Sequence, residues 1–181
     1  MTVFGGGFPL RPPYKGGPVS IPLHMSTFES LATPRLLLVP FDPETARAVV
    51  DGDLSSLDPV EGWPHQDTID GLSGPVKYGW PAGWMVTLDG KVIGDCGTHG
   101  PADAQGVIEI GYGLAADYRG RGFGTEMVGA ISRWLLEARD VRAVIASTLA
   151  DNISSRRVLE KNGFGFTGFD DEGQALYRLE K

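Results

Sequence analysis

The sequence Arg119-Gly120-Arg121-Gly122-Phe123-Gly124 joins an apolar run ending at Leu114 to a helical pattern that continues past Met127. Few local sequences restrict a fold as tightly as a glycine-punctuated loop at a strand-to-helix junction. The first turn of a helix has backbone N–H groups without intrahelical acceptors and carries a partial positive charge. Glycines there remove the Cβ atoms that would hold an anion away from those donors. Arg119 and Arg121 add charge-assisted donors. Together these features describe a diphosphate cradle, although the same glycines also suit a turn that only lets strand and helix pack closely. No Gly-Lys-Ser/Thr follows, which excludes a nucleoside-triphosphate P-loop. Gly111-Tyr112-Gly113-Leu114-Ala115-Ala116 fits a loose dinucleotide fingerprint. That motif needs its glycines in the strand-to-helix turn itself, and here residues 117–122 intervene.

Around this loop the pattern predicts the order β, α, loop, β, β, β, α, β, α, β, β. The first strand is Arg35–Val39. Asp42-Pro43-Glu44 opens a helix, with aspartate as N-cap and proline at the first helical position, running to about Gly52. Residues 53–83 are broken by Pro59, Pro64, Pro75 and Pro81, and read as one short helix with much loop. Trp63, Tyr78 and Trp80 make that segment a candidate wall for a substrate pocket, or else pack as core. Trp84–Leu88 and Lys91–Asp95 flank Asp89-Gly90, a two-residue turn suited to a type I′ hairpin. Val107–Leu114 adds a third meander strand. A helix from near Gly122, a strand over Ala143–Thr148 and a helix capped by Asn152 and closed by Gly163 follow. Gly165–Phe169 and Ala175–Leu179 end the chain as strands. Meander strands followed by crossover helices imply a mixed sheet covered by helices.

Residues 1–26 contain Gly5, Gly6, Gly7, Pro9, Pro12, Pro13, Gly16, Gly17, Pro18 and Pro22. This composition suits an extended arm or a disordered leader rather than regular structure. Phe4, Phe8, Leu10 and Tyr14 offer it a way to dock on a neighbouring subunit, as in a homodimer. Residues 27–181 then form one domain.

Composition removes several functional classes. The net charge of −7 opposes a nucleic-acid partner and is compatible with a cationic amine substrate. No apolar run approaches the roughly 20 residues that span a bilayer, and the N-terminus lacks the apolar core of a secretory signal. The single cysteine, Cys96, rules out an internal disulfide or a cysteine-cluster zinc site. It reads as a small buried hydrophobe in a cytoplasmic, reducing setting. His24, His65 and His99 show no metal-ligand spacing, so no metal is expected.

With these residues in place, the chain resembles the GNAT acetyltransferases. Arg119-x-x-Gly122-x-Gly124 matches their Arg/Gln-x-x-Gly-x-Gly/Ala signature at the junction where they carry it. Asn152-Ile153-Ser154-Ser155, followed by Val158-Leu159-Glu160-Lys161-Asn162-Gly163-Phe164, is similar to their next motif. Thr33-Pro34-Arg35-Leu36-Leu37-Leu38 and Glu109-Ile110-Gly111-Tyr112 resemble the branch typified by the ribosomal-protein N-terminal acetyltransferases (RimJ/RimL-type). The resemblance spans roughly Thr33 to Lys181. It implies an α/β fold with a mixed, mostly antiparallel sheet, flanked by helices and splayed between the fourth and fifth strands. It also implies acetyl-CoA as acyl donor. In that family the diphosphate lies on the backbone of Arg119, Gly120, Arg121, Gly122, Phe123 and Gly124, with Thr125 on the first helical turn. Main-chain atoms of Leu114 and Tyr112 would meet the pantetheine arm, and so would the side chain of Asn152, which is equally a good N-cap.

One departure from the family is evident. Many members carry tyrosine seven positions after the asparagine, as the acid for the leaving thiolate, and this chain has Leu159. Ser155 is the position proposed for that role in the ribosomal-type branch, and it is also an ordinary helix-start serine. Amine acylation requires a group to take a proton. Glu109, on the strand approaching the acyl group, is the candidate base, with Asp95 and His99 behind it and bulk water as the alternative. The resulting expectation is an N-acetyltransferase acting on a primary amine, either a protein N-terminus or a small molecule, by direct attack in a ternary complex. A catalytically silent acyl-CoA-binding or interaction module is the second reading.

Overall fold

The computed structural model describes residues 28–79 and 81–181, so the arm expected over residues 1–26 lies outside the described residues. In chain order the elements are β1 (Leu31–Ala32), β2 (Leu37–Pro40), α1 (Pro43–Asp51), α2 (Gln66–Tyr78), β3 (Trp84–Leu88), β4 (Lys91–Thr98), β5 (Val107–Leu114), α3 (Phe123–Glu137), β6 (Ala143–Leu149), α4 (Ile153–Lys161), β7 (Gly165–Phe169) and β8 (Gln174–Glu180). The strands form one sheet in the order β1-β2-β3-β4-β5-β6-β8-β7. Every pairing between these strands is antiparallel except that of β5 with β6.

Local chemistry explains most boundaries. Asp42 Oδ1 accepts hydrogen bonds from the N–H groups of Glu44 and Thr45, Pro43 opens α1, and Gly52 closes it with a left-handed φ of 82°. Asp89 (φ 51°) and Gly90 (φ 83°) make the β3–β4 turn with both central residues at positive φ. Asn152 Oδ1 accepts from Ser155 N–H and caps α4.

The segment 53–83 departs from expectation. Its helix, α2, is 13 residues long despite containing Gly71, Gly74 and Pro75. Tertiary packing outweighs those weak helix formers. Thr68, Leu72 and Pro75 recur along one face and are buried. Trp63 is only 4% exposed and belongs to the core, so it does not form a pocket wall. Tyr78 is half exposed, and Trp80 lies outside the described residues. The short strand β1 was not expected either.

Strand alternation sends side chains to two separate cores. Trp84, Val86, Ile93, Ile108, Ile110 and Leu114 pack with Phe123, Met127, Ile131 and Leu135 of α3. Met85 and Val92 pack instead with Ala46, Val49 and Leu72 of α1 and α2. The sheet is therefore a middle layer, with α3 and α4 on one face and α1 and α2 on the other.

The sheet is forked. β5 pairs with β6 only over Val107–Glu109 against Ala143–Ile145. Beyond Glu109 the β5 strand continues to Leu114, and beyond Ile145 the β6 strand continues to Leu149, with no pairing between the two continuations among the described residues. This is the splay implied between the chain's fourth and fifth expected strands.

Candidate active site

The loop after β5 arrives at the mouth of the fork. A single 3₁₀ turn, Ala116–Tyr118, leads into it, and Arg119 Nε donates to the Leu114 carbonyl at 2.8 Å. That bond fixes the end of β5 and occupies one face of the Arg119 guanidinium. Gly122 has φ 84° and serves as the N-cap of α3 without any side-chain cap. Among the described residues no protein acceptor meets the N–H groups of Phe123, Gly124 and Thr125. Three uncapped donors at the start of a 15-residue helix are what an anion needs.

The glycines act in different ways. A Cβ on Gly124 would lie 3.2 Å from Val158 Cγ2 and 3.9 Å from Leu114 Cδ1, so this glycine lets α3 seat against α4 and β5. A Cβ on Gly120 would meet open space, and its need for glycine comes from its φ of 73°. Close packing therefore explains Gly124, and a left-handed backbone explains Gly120. Phe123 is a core side chain, 3% exposed, and brings only its N–H to the junction.

A clamp from the start of the domain holds this loop. Glu126, on the first turn of α3, accepts from Thr33 Oγ1 (2.6 Å), Arg35 N–H (2.8 Å) and Arg35 Nε (2.7 Å). Arg35 also donates to the Arg121 carbonyl at 3.0 Å, and its guanidinium lies 4.5 Å from the centre of the Phe123 ring. Arg121 covers the same ring at 5.1 Å and Tyr118 at 5.6 Å. Burial pushes the Glu126 carboxyl up, but the Thr33 and Arg35 hydrogen bonds and the Arg35 charge outweigh it and hold the group below the usual glutamate range. Nothing in the sequence around Glu126 marks it as the centre of this clamp. The Thr33-Pro34-Arg35 motif was its only trace, and the partners are 91 and 93 residues apart.

Across the fork, Tyr112 on β5 reaches Ser155 on α4. The two hydroxyl oxygens are 2.8 Å apart, and Tyr112 Oη is 3.3 Å from the Ser155 carbonyl. Burial pushes the Tyr112 phenol up to about 12, partly opposed by the Ser155 hydrogen bond. Leu159 is wholly buried in the main core and carries no group toward the fork.

The α1–α2 face carries a second set of ionisable groups, Glu109, His99, His65 and Asp95. Glu109 sits at the last β5–β6 pair, at the root of the fork. Its Oε1 accepts from Ser147 Oγ at 3.1 Å and lies 3.9 Å from His99 Nδ1. Gly111 leaves room for the His99 ring, since a Cβ there would lie 2.7 Å from His99 Nε2. Gly113 similarly underlies His65, the N-cap residue of α2. Asp95, a candidate base by sequence, is committed elsewhere: its Oδ1 accepts from Trp63 Nε1 (2.8 Å) and Thr68 Oγ1 (2.6 Å). Burial, with a contribution from Asp67, pushes its carboxyl up, against those two bonds and His65. Among the described residues no three His, Cys, Asp or Glu side chains are placed to hold a metal ion, and no helix is long and apolar enough to cross a membrane.

The family model of the acetyltransferase (GNAT) domain matches residues 35–165. The uncharacterized N-acetyltransferase YjdG of Bacillus subtilis (strain 168) is 32% identical over 74 residues, which is 41% of this chain and 44% of YjdG. The match thus spans less than half of that relative's length. An acetyltransferase structure from Agrobacterium tumefaciens str. C58 superposes with a TM-score of 0.61 at 23% identity, covering 91% of this chain and 100% of its own. RimL, the ribosomal L7/L12 alpha-N-protein acetyltransferase solved with coenzyme A, gives 0.64 at 17%, covering 84% and 98%. The aminoglycoside acetyltransferase AAC(6')-Ib with coenzyme A gives 0.59 at 19%, covering 81% and 95%. At these identities the structural likeness speaks for the fold.

Proposed function

The chain belongs to the GNAT acetyltransferase family, and from that premise we propose that it acetylates a primary amine with acetyl-CoA by direct attack in a ternary complex. The observation that carries this reading is the fork beyond Glu109, which opens beside the three uncapped N–H groups of α3.

A diphosphate with an extended amide arm fits these features. Phe123, Gly124 and Thr125 would hold the diphosphate by their N–H groups, within the frame of Arg119, Gly120, Arg121 and Gly122. The stretch of β5 from Ile110 to Leu114, paired with β4 on one edge and left open by β6 on the other, would take the pantetheine arm on its open edge as an added strand. Asn152 spends its Oδ1 on capping α4, which leaves its Nδ2 for the same arm. Bound acetyl-CoA supplies a thioester, an acyl carbon open to attack by a neutral amine.

The chain's own residues then divide the work. Glu109, at the root of the fork and within reach of Ser147 and His99, takes the amine's proton directly or through water. Ser155 donates a hydrogen bond where negative charge develops on sulfur. Cys96 is not a candidate for a covalent acyl carrier, because burial and the Asp95 charge push its thiol well up. Direct attack needs no such carrier.

RimL by name acts on a ribosomal protein and AAC(6')-Ib on aminoglycosides, so the fold serves both protein and small-molecule amines. The Glu109 carboxylate at the root of the fork and the net charge of −7 favour a cationic amine here. Calorimetric titration with acetyl-CoA, followed by thiol release over a panel of amines, tests the reading. Saturable binding and amine-dependent release are expected. Binding without release for any amine would leave a silent acyl-CoA-binding module, and no binding would remove the cradle.

A further inference from the structure

We propose that Tyr112 is a positioning residue that turns the Ser155 hydroxyl toward the leaving sulfur; the inference rests on the acetyl-transfer reading above. Tyr112 has one hydroxyl proton and two oxygens within reach, Ser155 Oγ at 2.8 Å and the Ser155 carbonyl at 3.3 Å. Two arrangements satisfy the pair. In one, Tyr112 donates to the carbonyl and accepts from Ser155 Oγ. In the other, Tyr112 donates to Ser155 Oγ, and the serine proton is released to point into the fork. The first suits the resting protein. The second suits a negative charge beside Ser155.

Geometry places this exchange at the fork. Tyr112 lies beyond Glu109, on the part of β5 that β6 leaves unpaired, and Ser155 lies on the first turn of α4. The Tyr112 ring packs against the main core, so its hydroxyl is held in place. Leu159, fully buried, supplies no hydroxyl further along α4. Because its phenol is pushed up to about 12, Tyr112 keeps its proton and remains a donor across the working range.

The step balances without proton loss from either hydroxyl. The amine nitrogen bonds to the acyl carbon, the carbon–sulfur bond breaks, and its electron pair stays on sulfur. Glu109 or water takes the amine's proton. Ser155 swings its O–H toward the sulfur, and Tyr112 swings its own from the Ser155 carbonyl to Ser155 Oγ. The thiolate later takes a proton from solvent.

Tyr112→Phe removes the hydroxyl and keeps the ring. The test titrates the thiol of coenzyme A bound to the protein, by thiolate ultraviolet absorbance and by calorimetric affinity against pH. Wild type should ionise the bound thiol at lower pH than free coenzyme A. Tyr112→Phe should lower the thiolate-to-thiol ratio at fixed pH about fivefold and lower kcat in parallel, with acetyl-CoA affinity unchanged. In a Ser155→Ala background Tyr112→Phe should add nothing, since the tyrosine acts through the serine. An unchanged thiol titration in Tyr112→Phe, or an additive effect on top of Ser155→Ala, would overturn the proposal. Failure of wild type to bind coenzyme A would instead overturn the acetyl-transfer reading beneath it.

Discussion

On the α3–α4 face of the sheet, the groups proposed to meet the cofactor come largely from two short stretches, residues 119–125 and 152–155. On the α1–α2 face, the groups proposed to face the amine come one at a time from α2, β4, β5 and β6. The first kind of site is made mostly of backbone: uncapped N–H groups, a left-handed Gly122 and an N-cap at Asn152. The second is made of side chains whose placement depends on strand register, as when Glu109 pairs at Ile145 and Asp95 pairs at Gly113. Backbone sites leave a local trace in a sequence because they need particular residues at particular turns. Side-chain sites on a sheet face leave almost none, because a register is a relation between distant segments.

Substitutions on each face should behave accordingly. Gly124→Val should have the largest effect, since its branched side chain meets Val158 and Leu114 and pushes α3 off α4. Overpacking of this kind costs about 1–3 kcal/mol. Thermal denaturation should show that loss, and calorimetry should show acetyl-CoA binding weakened at least ~10-fold. If affinity fell with an unchanged melting temperature, Gly124 would serve the ligand directly and the packing role would be wrong.

Glu109→Gln, on the opposite face, should spare binding and lower turnover. The loss should be about tenfold at the acid end of the profile, where the amine is mostly protonated, and smaller toward alkaline pH. Steady-state rates against pH check this, and a uniform loss would move the proton chemistry to another group.

Glu126→Gln should weaken acetyl-CoA binding about threefold to fivefold by loosening the Arg35 clamp. Its pH dependence has a definite sign. The folded carboxyl is held below its ordinary value, so the clamp's contribution is present above the ordinary glutamate range and is lost as pH falls through the lowered value. The melting-temperature gap between wild type and variant should therefore hold near neutrality and close only in acid, below the ordinary glutamate range.

The smallest effect belongs to Asp95→Asn. The amide oxygen can still accept from Trp63 and Thr68, and the cost of a buried charge is gone. Because the folded Asp95 carboxyl is raised, its protonated form is the one the fold favours, and that stability is lost as pH rises through the raised value. The variant should match or exceed wild type in melting temperature at neutral pH, with the advantage vanishing in acid. A large loss of turnover would return Asp95 to the catalytic candidates.

The contrast between faces also describes how far the sequence could be read. The helices α1, α3 and α4 announce themselves by Asp42-Pro43, by the glycine loop and by Asn152 with Gly163, all of which act within a few residues. The Asp89-Gly90 hairpin does so through its φ requirement. Helix α2 was under-read because Gly71, Gly74 and Pro75 are poor helix formers, and its stability comes from Thr68 and Leu72 packing on distant elements. The aromatic character of Trp63 shows in the sequence and suits a pocket wall or the core equally, whereas its bond to Asp95, which holds it in the core, does not. The Arg35–Glu126 clamp and the Tyr112–Ser155 contact join residues 91 and 43 positions apart, so local patterning at one partner does not identify the other.

The most direct test of the backbone cradle compares amide shifts in a ¹⁵N-labelled protein on adding coenzyme A and on adding pantetheine, which lacks the diphosphate. Coenzyme A should move the amides of Phe123, Gly124 and Thr125 together with those around Tyr112 and Ser155, and pantetheine should move only the latter group. Equal perturbation of the α3 amides by both ligands, or none by coenzyme A, would contradict the assignment of the diphosphate to this helix start.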